Sequence, residues 1–133
     1  METDRRRVRI AILDDQQRAA ERYFPLDELR AVCEPQLTVY TDHVRDEEEL
    51  VRRAGQADVV VVMRERSTLS RAVIEQLKET KLIITSGAHN AAIDRAAAAD
   101  RGIVVCGTRG RDRAPAELTW ALLLALVRRI PAE

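Results

Sequence analysis

Short apolar runs and helix-like stretches alternate along the whole chain, and this constrains the fold more than any other feature. Residues 8–13, 37–40, 58–62, 82–84 and 103–105 read as strands. Between them lie a helical stretch interrupted near Pro25, a charged helix over 47–54 ended by Gly55, and a helix capped by Ser70. An alanine-rich helix over 93–101, ended by Gly102, completes the set. The run 58–62 is apolar without alternation, as a central parallel strand covered on both faces requires. Strict β–α alternation means right-handed crossovers and a parallel sheet with helices on both sides. The expected fold is therefore α/β, a flavodoxin-like five-stranded parallel sheet in the order 2-1-3-4-5. Ligands in such sheets bind beyond the carboxyl ends of the strands. That directs attention to the loops beginning at Asp14, Met63, Thr85 and Cys106.

Several chemistries fail at those loops. Asp14-Asp15 could be half of an acidic phosphoryl-accepting pocket. The third and fifth strands, however, are followed by Met63-Arg64-Glu65-Arg66 and Cys106-Gly107-Thr108, not by the Asp and Lys that pocket needs. The pair then reads as a polar turn and helix entry. A flavin phosphate loop is missing after the first strand. The five glycines never form Gly-x-Gly-x-x-Gly, so no tight NAD or FMN binding is expected of this chain alone.

The loop Ser86-Gly87-Ala88-His89-Asn90 has two readings. Gly87 lets the backbone approach a ligand, and the following N–H groups can cradle a carboxylate. Alternatively this is a tight turn in which Gly87 relieves strain and Asn90 caps the next helix. Arg64 or Arg66 could grip a carboxylate bidentately, or Glu65 could pair with a neighbouring arginine to steady the loop.

Twenty-two basic and 22 acidic side chains cancel, which argues against a nucleic-acid or anionic-membrane partner. The Arg5-Arg6-Arg7 run reads as a solvated start to the first strand. Cys33 and Cys106 lack metal-ligand spacing and read as buried small hydrophobes in a reducing, cytoplasmic setting. His43 and His89 lie in separate segments, so the sequence assembles neither a metal site nor a nucleophilic triad.

The stretch Leu-Ile-Ile-Thr-Ser-Gly-Ala-His-Asn-Ala-Ala-Ile-Asp, then Gly-Ile-Val-Val-Cys-Gly-Thr, then Ala-Pro-Ala-Glu-Leu-Thr-Trp followed by an apolar helix resembles one family closely. These segments are similar to the D-isomer-specific 2-hydroxyacid dehydrogenases, where their substrate-binding domain hands over to their NAD-binding domain. Met63-Arg64-Glu65-Arg66 resembles the family's Met-Arg-Glu-Arg-Thr loop at the interdomain cleft, with Ser67 where threonine is common. The resemblance implies that backbone amides of Gly87, Ala88 and His89 hold a substrate carboxylate, with NAD bound by the full-length enzymes. His89 stands where related sequences often have arginine, and is a candidate for proton transfer.

The expected layout is a substrate-binding-type domain over 1–108, a charged hinge over 109–114 and an apolar helix over 115–131. A helix apolar on every face must be buried on every face. From Leu118 to Val127 this helix must therefore fold back onto its own sheet or swap onto a second copy, and a homodimer is expected. Gly-rich cofactor loop and catalytic Arg, Glu and His do not occur before Glu133. The chain is thus expected to bind a small carboxylate or polar metabolite without hydride transfer of its own. The alternatives are a fragment of a complete NAD-dependent oxidoreductase, and an interaction module docking through the last helix.

Overall fold

The computed structural model describes residues 5–110 and 113–130. Five strands form one sheet: β1 (Arg7–Ile12), β2 (Glu34–Val39), β3 (Val59–Val62), β4 (Leu82–Thr85) and β5 (Val104–Gly107). All pairs are parallel and the order is β2-β1-β3-β4-β5, as the alternation predicts. Six helices join and follow them: α1 (Ala19–Tyr23), α2 (Leu26–Val32), α3 (Glu47–Ala54), α4 (Arg71–Gln76), α5 (Arg95–Asp100) and α6 (Ala114–Val127).

Strand alternation divides the core in two. Ala11, Leu13, Val60, Val62 and Ile83 face Leu50 and Ala54 of α3, Val73 and Ile74 of α4, and Ala97 and Ala98 of α5. The other face carries Ile10 and Ile12, packed with Val59, Val61, Ala20, Phe24 and Leu29 beneath α1 and α2. Register continues that second face through Leu82 and Ile84 to Val104 and Cys106. There the cover thins, and Val104 is 58% exposed. Cys106 is exposed too and Cys33 only half-buried, so neither is the buried hydrophobe expected of it.

Helix boundaries have local causes. Asp46, Ser70 and Asp94 each accept a hydrogen bond from the N–H three residues on, satisfying a donor the helix start leaves open. Gly102, at φ +68°, follows α5 in the left-handed conformation that ends helices. Strand β2 starts three residues before the sequence suggests, with Pro35 tolerated because β2 is an edge strand. Pro115 sits in the first turn of α6. Across α6 the apolar side chains are exposed on the single chain, Trp120 at 63% and Leu126 at 76%. The hinge expected over 109–114 lies partly outside the described residues, as does the end of the 115–131 segment.

Candidate functional site

The carboxyl ends of β3, β4 and β5 meet in a network of short hydrogen bonds. Ser86 N–H donates to Val62 O at 3.0 Å, and Arg64 N–H donates to Ser86 Oγ at 3.0 Å. Asn90 is buried, and its amide donates to Arg64 O at 2.6 Å and to Thr85 Oγ1 at 2.9 Å. Its Oδ1 accepts from Ala92 N–H, so Asn90 closes an Asx turn while Asp94 caps α5. The capping role read for Asn90 belongs to Asp94, because α5 starts at Arg95, two residues later than the sequence suggests.

Gly87 adopts φ +111°, a conformation side chains rarely take. A β-carbon there would stand 3.2 Å from Nη1 of Arg64, so that guanidinium lies over the loop. Gly87 N–H is already spent, donating to Thr108 Oγ1 at 2.8 Å. The next two amides, of Ala88 and His89, donate to nothing among the described residues, and both residues are exposed. The loop thus keeps two N–H groups without a partner among the described residues, and the Arg64 guanidinium lies over its Gly87. His89 is exposed and makes no side-chain hydrogen bond among the described residues.

Arg66 goes elsewhere. Its Nη1 donates to Asp14 O at 2.8 Å, beside a cluster the sequence reading missed. The Asp14 carboxylate, 2% exposed, meets His43 Nδ1 at 2.7 Å and accepts from Ser67 Oγ at 2.6 Å. Asp15 accepts from the N–H groups of Ala19 and Ala20, the helix-entry role expected of the pair. The two histidines are in separate segments, yet the fold brings His43 onto a buried carboxylate. Asp14, His43 and Ser67 lie just past β1, β2 and β3, and the order β2-β1-β3 makes those ends neighbours. Applying the predicted strand order to the loop residues would have found them. Ser67 donates to the carboxylate and not to the imidazole, so this is not a nucleophilic triad. Glu65 forms no ion pair among the described residues, so it does not steady the loop by pairing with an arginine.

Comparison with known proteins decides the family. Residues 10–128 match the model of the D-isomer specific 2-hydroxyacid dehydrogenase catalytic domain. The chain belongs to this family. It is similar to D-3-phosphoglycerate dehydrogenase of Methanocaldococcus jannaschii, 39% identical over 85 residues, which are 63% of this chain and 16% of that protein. A Ralstonia solanacearum structure described as a D-3-phosphoglycerate dehydrogenase oxidoreductase shares 34% identity at a TM-score of 0.79, over 93% of this chain and 36% of that one. Phosphoglycerate oxidoreductase of Vibrio cholerae O395 shares 33% identity at a TM-score of 0.79, over 93% of this chain and 38% of that one. The chain therefore spans less than two-fifths of these 2-hydroxyacid dehydrogenase relatives.

Proposed function

We propose that this chain is a carboxylate-binding module. Its ligand's carboxylate accepts from Ala88 and His89 N–H, and Arg64 closes over it. The observation that carries this reading is the pair of open amides that follow Gly87, over which the Arg64 guanidinium lies. Gly87 contributes its conformation rather than its N–H, and Ser86 and Asn90 brace the loop. In the family, NAD supplies hydride transfer. This sequence contains no dinucleotide loop, so the chain by itself binds without redox turnover. Titration calorimetry with pyruvate tests the reading. Saturable binding that weakens about tenfold in Arg64→Gly is expected, since one charge-assisted contact is lost. Equal heats from the two proteins would refute it.

A second reading makes the chain the substrate-binding part of a longer NAD-dependent oxidoreductase. The modest share of each relative that it covers favours this. Under either reading the exposed apolar surface of α6 calls for a partner, and we propose a homodimer formed through it. No described helix is long and apolar enough to cross a membrane. Two unpaired cysteines suit a reducing, cytoplasmic setting.

A further inference from the structure

The cleft around His43 is separate in its residues from the Gly87 loop. His43, Val44, Arg45, Glu47, Arg66 and Thr68 line a cavity of about 390 Å³, of a size that takes small metabolites. Two of these lining residues, His43 and Arg66, bond to the buried Asp14. Burying a carboxylate is costly unless donors meet it. Here His43 and Ser67 meet it from two different loops. An ionised carboxylate only accepts, so the Asp14 contact places the imidazole proton on Nδ1. In the neutral ring the other nitrogen, Nε2, is then an acceptor, on a side chain 30% exposed at the cavity wall. Around it stand two arginines and the Glu47 carboxylate. Arg45 makes no ion pair among the described residues. Arg66 commits one N–H to Asp14 O and has others to offer. Glu47 accepts from Ser70 Oγ.

We propose that this cavity is a second binding site, for an oxyanion that also carries a hydroxyl group. The hydroxyl donates to His43 Nε2, while Arg45 and Arg66 donate to the anionic oxygens. Hydrogen phosphate has this chemistry, and so do small hydroxy-carboxylates. Sulfate has the shape and charge of phosphate without the hydroxyl at neutral pH. This site is independent of carboxylate binding at the Gly87 loop.

The test is an NMR titration of the full chain at pH 8, following the two imidazole nitrogens of His43. The expected result is a proton on Nδ1 and a saturable shift of Nε2 with inorganic phosphate. Sulfate should bind at least about tenfold more weakly, as one hydrogen bond is lost. Arg45→Ala, an exposed substitution outside the core, should weaken phosphate about tenfold, whereas Arg64→Gly should leave it unchanged. Glycolate provides the other arm: tighter binding than phosphate at Nε2 identifies a hydroxy-carboxylate as the ligand, weaker binding a phosphate. A proton on Nε2, equal responses to phosphate and sulfate, no saturable shift, or no loss in Arg45→Ala would each overturn the proposal.

Discussion

Gly107 has no room for a side chain, because a β-carbon there would stand 2.6 Å from Ala88 O and 2.7 Å from Gly87 O. Gly107→Ala must therefore push the end of β5 away from the loop it supports. A loss of about 1–3 kcal/mol in urea unfolding is expected, together with weaker pyruvate binding. Unchanged stability and affinity would show that this contact does not set the loop. Glu49 offers a different residue-scale check. Hydrogen bonds from Arg52 and Arg53 hold its carboxyl down to about 2, below its ordinary 4.5. A lowered folded value means stability that is present above pH 4.5 and lost as pH falls towards 2. The thermal midpoint of Glu49→Gln should then lie below the parent's at pH 7, and the gap should close between pH 4.5 and 2. The Arg52 pair should add little to the gap, since Arg52 is 70% exposed. A gap independent of pH would rule out the ion pairs as its source. Gly87 and Arg64 were readable one residue at a time from local chemistry. Thr108, which takes the Gly87 N–H, was not, because that bond joins two strand ends 21 residues apart.

At the scale of elements, α3 was legible to the residue, since its acidic first turn, basic last turn and following glycine all agree. Strand β2 and helix α5 were displaced at their starts by two or three residues, where tertiary pairing and a cap decide the boundary. Helix α6 is the element whose sequence and surroundings conflict. Apart from Glu117 and Thr119 its 14 residues are apolar, yet Leu118, Leu122, Leu124 and Val127 are each more than half exposed. Sedimentation at micromolar concentration should find a dimer, and Leu122→Glu with Leu126→Glu should shift it to monomer without loss of the sheet. A monomeric parent chain would contradict dimerisation through α6.

For the whole molecule, topology explains both what the sequence disclosed and what it concealed. Alternating strands and helices give a parallel sheet, and its order β2-β1-β3-β4-β5 brings the loop chemistry to one edge. Within that edge the arginines Arg64 and Arg66, two residues apart, serve different loops. One turn with Arg64 at φ +55° separates them, and nothing in the residue types signals it. The central claim is that the Ala88 and His89 amides receive a carboxylate. Its most direct test follows backbone amide signals during a pyruvate titration. Saturable downfield shifts are expected at Ala88 and His89, with the amide of Gly87, already donating to Thr108, moving least of the three. Shifts centred elsewhere, or none up to millimolar pyruvate, would contradict it.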